Sequence, residues 1–409
     1  MMTIILWMLA GVMLGVATGM IPGLHVNNLT PAFVLLAAGS GSVEVASLVV
    51  AMSITNVFVS YIPATYLGVP EEGMELSILP AHRLLLEGRG HHAVRLSVVG
   101  CLGGIVAGAV LLAPFLLVVR PAYEFIKPNM HWLLLSVVAV MIALERSPVR
   151  MVWACAIFLL SGLLGLLALD GGFMKSDVAL MPLLSGLFGA SVLLPSIAGG
   201  CRLPEQRTGD GGSLRGLGRP IVSGTVAGAV TGIVPGIGPS QGTVLAQLAS
   251  GCSGTEEFLA AVSSVNTSKA MFSFAALYAI GRGRSGAAVA VGQILEMGAA
   301  ELAMMVGVSL FAAGLAAVLT LWLSRIVARG MRRLPYRKMC IAVLILVSGL
   351  VLFYSGPAGM LVFLTATAIG ILPAAVQVKR THAMGVILLP CILFFAGVKE
   401  NILSVIGLA

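Results

Sequence analysis

The residues to weigh first in this 409-residue chain are polar side chains set in apolar stretches. Two groups follow Pro-Gly steps. Pro22-Gly23 leads into His25, Asn27 and Asn28, and Pro235-Gly236 leads into Gly238, Ser240 and Gln241. Further along lie Asn56 and the block Asn266, Thr267, Ser268 and Lys269. These are amides, hydroxyls and one ammonium. They suit the binding of a small ion, and no nucleophile–base pair or metal cluster emerges from their spacing. Lys269 is the most informative charge, because an ionisable residue inside a membrane is costly and marks function by default. Contact with an anion competes here with structural pairing to Glu296 or Glu301. Glu71, Glu72 and Glu296 could carry protons or a coupling cation. His25 titrates near neutrality, although a lone histidine is more often a hydrogen-bonded structural group.

The elements that position these groups come from a phrase that occurs twice. Its copies are GVMLGVATGMIPGLHVNN, from Gly11, and GTVAGAVTGIVPGIGPSQ, from Gly224, an offset of 224 − 11 = 213. Proline lacks the backbone donor, and the residue before it avoids helical geometry. Each phrase therefore predicts a helix that breaks at Pro-Gly. Such backbone is tolerated at membrane depth only where it is buried in protein or lines a cavity. The freed N–H groups and positive helix ends favour anions. Glycine at every fourth position marks a close-packing face. Beyond the phrase, AMSITN (51–56) is similar to AVSSVN (261–266), which pairs Asn56 with Asn266 at 266 − 56 = 210 and asks for a three-residue gap.

Hydrophobic residues make up 58% and charged residues 10%, against about 25% charged in soluble domains. Repeated apolar runs of about 20 residues predict an all-α polytopic membrane protein with about 10–12 membrane segments. The runs do not alternate as barrel strands do. Two repeats are expected: 1–200 (broken-helix core 3–92, bundle 93–200) and 220–409 (core 220–298, bundle 299–409), joined by a cytoplasmic linker at 201–219. Basic residues collect at 82–95, 145–150, 200–219, 325–338 and 376–382. Placed in the cytoplasm by the positive-inside rule, they put both termini outside and have the two phrases entered from opposite sides. That is the plan of inverted-topology repeats in secondary transporters. Arg282 and Arg284 then fall outside, against the rule.

The net charge of +8 lies mostly in loops and reports topology, so no nucleic-acid partner is expected. The six cysteines are scattered without CxxC spacing, which implies no zinc or redox site. No GxxxxGK[ST] or HExxH is present, and GRGRSG (281–286) lacks a nucleotide fingerprint's context. No enzyme and no cofactor are expected, beyond a coupling Na+ or H+. The N-terminus reads as a retained first helix.

The duplicated G-x(3)-G-x(3)-G-x(2)-P-G phrase, with LGVPEEGMELSILPAHRLLLEGRGHHAVRLSVVG (67–100), resembles the TctA-type large membrane subunit of tripartite tricarboxylate transporters. The resemblance implies an ion-coupled carrier of tricarboxylates or other organic anions in the cell membrane. It implies a small membrane subunit and an extracytoplasmic binding protein as partners, beside membrane lipid. It implies substrate or ion contacts at Pro22–Asn28, Pro235–Gln241 and around Asn56 and Asn266. The chain is shorter than typical bacterial members, His25 stands where small residues are common, and Lys269 is unexpected. A divergent, archaeal branch is indicated. A related set with similar Pro-Gly repeats is associated with moving polyprenyl phosphates, so a lipid-phosphate translocase is the nearest alternative, ahead of an intramembrane enzyme. Whether the chain forms a homodimer stays open.

Overall fold

The computed structural model describes residues 2–21, 33, 36–37, 41–69, 74, 76–145, 147–174, 176–198, 204–209, 214–234, 238–251, 254–331 and 336–405. Among them there is no strand. In chain order the helices are α1 (Met2–Met20), α2 (Ser42–Leu67), α3 (Ile78–Leu86), α4 (Gly90–Val110), α5 (Leu112–Ile126), α6 (Met130–Ala143) and α7 (Pro148–Asp170). Then α8 (Ser176–Leu184) passes through a π turn, Ser185–Ala190, into α9 (Ser191–Ala198). The second half holds α10 (Gly218–Ile233), α11 (Pro239–Ser250), α12 (Thr255–Ile280), α13 (Gly286–Ile294), α14 (Ala299–Met331), α15 (Tyr336–Ala375), α16 (Gly385–Phe395) and α17 (Lys399–Val405). Among the described residues, eight helices are long and apolar enough to cross a membrane, or nine spans if the bent pair at 380–405 counts as one. The protein is an all-α polytopic membrane protein, as its composition predicts.

By packing, the chain divides into two compact units. The first holds Met1–Tyr66, Leu79–Tyr123 and Leu203–Arg333, and the second holds Leu67–Ile78, Glu124–Arg202 and Leu334–Ala409.

The first unit contains both repeated phrases. Each phrase helix lies along the long helix that follows it, glycine face inward. A Cβ at Gly15 would come 2.5 Å from Met52 O, and one at Gly19 would come 2.9 Å from Asn56 O. In the second copy, a Cβ at Gly224 would come 2.7 Å from Ala261 O, and one at Gly232 would come 2.9 Å from Phe272 Cβ. Residue numbers rise together along both pairs, so α1 runs parallel to α2 and α10 runs parallel to α12. Consecutive parallel helices require the chain to return between them. In the second half α11 is that return limb, with Gly242 set against Thr231 and Val265.

The interior of this unit is α2 and α12, each 26 residues and each buried along most of its length. At 1.5 Å per residue either helix is about 39 Å long, enough to cross the bilayer core. Several hydroxyls of α12 are satisfied without breaking the helix. Ser263, Thr267 and Ser268 donate to the carbonyls four residues back. Helix α4 shares this interior through a second glycine row. Cβ atoms at Gly100 and Gly104 would clash with Ala260 O and Ser264 O, and Gly108 faces Met271. Helix α4 is thus parallel to α12.

The running directions follow. Helix α4 begins where α2 finishes: a Cβ at Gly90 would be 2.9 Å from Tyr66 Cε1, and His91 Nδ1 and Tyr66 OH both reach Ser324 Oγ, at 3.0 and 3.3 Å. A span starting at that end crosses back, and α12 accompanies it. Helices α2 and α12 therefore run in opposite directions.

In the second unit α7 packs on α16 through Gly162 and Gly165, and the π turn packs on α15 through Gly186. Helix α15 is kinked at Gly356 (φ 64°, ψ −165°), just before Pro357. Glu145, between α6 and α7, accepts hydrogen bonds from His382 Nε2 (2.9 Å) and Lys379 N (3.1 Å). Burial alone would raise its pKa. The two hydrogen bonds and the neighbouring positive charge outweigh burial and hold the carboxyl below its ordinary value. A depressed carboxyl contributes stability above its unfolded pKa and loses it as pH falls through the folded one. The melting temperature of the wild type should exceed that of Glu145→Gln at neutral pH. The gap should close as pH drops below about 4, and a gap independent of pH would rule this account out.

Candidate functional site

The helix of the second phrase, α10, ends just before Pro235. Val234, just before Pro235, is already extended (φ −84°, ψ 115°), as the residue before a proline should be. The end of α10 lies beside Lys269 and Phe272 of α12, since Gly232 faces Lys269 O and Phe272 Cβ. Helix α12 continues from Phe272 to Ile280, about 12 Å further at 1.5 Å per residue. Helix α11 begins at Pro239.

Lys269 is placed by helical periodicity. Val265 touches α11, with its Cγ1 3.0 Å from where a Gly242 Cβ would stand. Lys269 is one turn further on the same face. Helix α11 runs the other way, so its N-terminal end lies toward Lys269. An ammonium and a helix N-terminus, both favourable to negative charge, thus share one side of the break. Asn266 lies on the adjoining stripe, 8% exposed, and its Nδ2 has no hydrogen-bond partner among the described residues. Gly238 N-terminally flanks α11, accepting from Gly242 N at 3.1 Å. Ser240 and Gln241 lie in its first turn.

Thr267 and Ser268 face other helices. Thr267 Oγ1 donates to Cys101 O of α4 at 3.0 Å, and Ser268 lies against Gly228. Glu296 is exposed in the segment between α13 and α14. Pro22, Gly23, His25, Asn27, Asn28, Glu71, Glu72, Pro235 and Gly236 lie outside the described residues.

In the first half, near the end of α1, Asn56 is buried and donates from Nδ2 to Thr18 Oγ1 at 3.1 Å. Ser60 Oγ donates to Asn56 O at 2.6 Å. Thr18 had drawn no attention as a site residue, and its exact repetition at Thr231 was the available signal.

The register between halves differs from the one the AMSITN similarity suggested. Gly15 faces Met52 and Thr55, while Gly228 faces Val265 and Ser268. Gly19 faces Asn56 and Val59, while Gly232 faces Lys269 and Phe272. Helices α2 and α12 start at 42 and 255, and 255 − 42 = 213. Gly68 and Gly281, which follow them, both have left-handed φ, 68° and 65°. The offset of 213 holds without a gap. The counterpart of Asn56 is therefore Lys269, and that of Ser60 is Ser273. A close-packed glycine face fixes the register more firmly than a six-residue similarity, because shifting it by three would point side chains at the seam.

Ser273 does a second job. Its fully buried Oγ accepts from Arg284 N at 2.6 Å and Ser285 N at 2.7 Å. The loop after α12 is thereby folded back along the helix, and Ser285 then caps α13 by accepting from Ala288 N.

These features define a polytopic helical membrane protein in which α10 and α11 pack side by side against a long helix that carries Lys269. The Tripartite tricarboxylate transporter TctA family matches residues 5–385, and the chain belongs to that family. It is also 26% identical over 402 residues to the uncharacterized protein MJ1079 of Methanocaldococcus jannaschii, covering 96% of this chain and 98% of that one. No solved structure matches the chain.

Proposed function

We propose that this protein is the large membrane subunit of a tripartite carrier, moving a tricarboxylate or other carboxylate anion across the cell membrane. Its halves act as inverted-topology repeats, each presenting a hairpin broken at Pro-Gly. The opposite directions of α2 and α12 support this plan, which is common among secondary transporters with a site near the midplane. The single observation that carries the reading is Lys269 on the face of α12 that meets the start of α11, beside the break. The first half has Asn56 in the equivalent place and Glu71 and Glu72 further along, and is suited to a coupling Na+ or H+. Alternating access then consists of the two hairpins being opened in turn from their own sides. A small membrane subunit and an extracytoplasmic binding protein complete the carrier, and both termini lie outside.

The test is uptake of labelled citrate into proteoliposomes holding the full chain with its partner subunits, under imposed Na+ or H+ gradients. Uptake is expected under one gradient and absent without it. No flux of any carboxylate under either gradient would remove the carrier reading.

A further inference from the structure

The loop after α12 carries a second cationic side chain, Arg284, which the positive-inside rule left without a role. Arg284 is anchored through its main chain to Ser273, one turn beyond Lys269 on α12. Its guanidinium stands over the ring of Tyr123, 5.6 Å from the centroid. Its Nε and Nη2 are both buried and have no acceptor among the described residues. These two donors form one edge of the guanidinium. That edge is the fork that takes a carboxylate through two parallel hydrogen bonds. Buried donors without partners are expensive, and two on one cationic group call for an oxyanion. The Asn266 amide, with a buried unpartnered Nδ2 of its own, lies three residues before Lys269 on the same side of the helix. Tyr123 supplies the face of an aromatic ring to the cation, which holds the guanidinium plane without occupying its edge.

We propose that the Nε–Nη2 edge of Arg284 is an oxyanion-binding point of the second-half site, taking one carboxylate group of the substrate while Lys269 meets another. This rests on the anion-carrier reading above and sharpens it. Two cationic points select anions bearing two or more carboxylates over those bearing one. The edge is shielded here by its surroundings, so the anion engages it as the side chain swings outward over Tyr123. The main-chain anchor on Ser273 stays in place during that motion.

The same edge could take a lipid phosphate in place of a solute carboxylate, and the test separates the two. Binding of citrate, succinate and acetate is measured on the full chain in phosphatidylcholine nanodiscs and again in phosphatidylglycerol nanodiscs. The variants are Arg284→Gln and Arg284→Lys. Neither disturbs the anchor, because Ser273 is bonded to backbone N–H groups. Arg284→Gln should weaken citrate at least about tenfold and acetate by less than about threefold, as loss of one charge-assisted contact does. Arg284→Lys should recover little of this, because an ammonium has no fork. Unchanged citrate affinity in a folded Arg284→Gln protein overturns the proposal and leaves the carrier reading standing. So does a loss confined to stabilisation by phosphatidylglycerol, which would assign the edge to lipid. Absence of any carboxylate binding by the wild type, in both lipids, overturns both.

Discussion

Lys269→Asn should reduce affinity for the transported anion by about 10- to 100-fold, the worth of one charge-assisted contact, and leave the protein folded. The choice of asparagine comes from the register. Position 269 is equivalent to 56, and in the first half an asparagine there is accommodated in a buried helix by donating to Thr18. Thr231 occupies the place of Thr18 in the second phrase. The substitution thus copies a side chain that the same scaffold already accepts. Alanine removes the charge too, but leaves a gap beside α11 whose effect on packing mixes with the effect on binding. The experiment measures citrate binding and uptake together with the melting temperature of the purified protein. Lost uptake with melting within a few degrees of the wild type supports direct contact with the anion. A melting temperature that collapses, with residual uptake in the surviving protein, would instead make Lys269 a structural ion-pair partner. Lys269→Arg keeps the charge and should retain part of the affinity.

The membrane class, the glycine faces and the ends of α1 and α10 just before their prolines were legible in the sequence because each rests on a strong local rule. Continuous apolar runs have one solution in water-free surroundings. A proline forces the residue before it out of the helix, and Val234 is where that force acts. The partner of Asn56 was not legible in the same way. Six similar residues favoured Asn266, yet the glycines of α1 and α10 admit only one alignment against α2 and α12, and that alignment selects Lys269. A short similarity among small polar residues is easily produced by the need to pack buried helices. The contribution of Arg284 was hidden for a different reason. Read as a loop residue, it is a charge on the wrong side. Only the two hydrogen bonds to Ser273, eleven and twelve residues back, carry the loop to within one turn of Lys269. The packing division of the chain was likewise beyond a linear reading. The first unit gathers α1, α2 and α4 with α10–α14, and the second gathers α6–α9 with α15–α17. Proximity to a shared pair of buried helices decides that grouping, and chain order does not.

Gly228→Leu tests the hairpin itself and should abolish uptake. At this position a Cβ would already fall on Ser268 Oγ and lie 3.0 Å from Val265 O. Neither can yield cheaply. Ser268 is fully buried and bonded to Ser264 O at 2.6 Å, and Val265 O belongs to the backbone of α12. A leucine must therefore push α10 away from α12, toward the separation of about 8–10 Å at which larger residues meet. The displacement carries the Pro235 break away from Lys269, and a misplacement of about 1 Å at a site can cost about 100-fold. Overpacking should also cost stability, about 1–3 kcal/mol or more, read as a lower melting temperature. Gly15→Leu makes the equivalent change at the first hairpin, where a Cβ would stand 2.5 Å from Met52 O, and should be as damaging. Gly314→Leu serves as the control, since nothing lies within 4 Å of a Cβ at that position of α14, and it should leave uptake close to the wild type. If Gly228→Leu transported normally while Gly314→Leu did not, the glycine faces would have no part in holding the breaks in place. Equal loss in Gly15→Leu and Gly228→Leu would instead tie both hairpins to one transport cycle, as alternating access through two matched breaks demands.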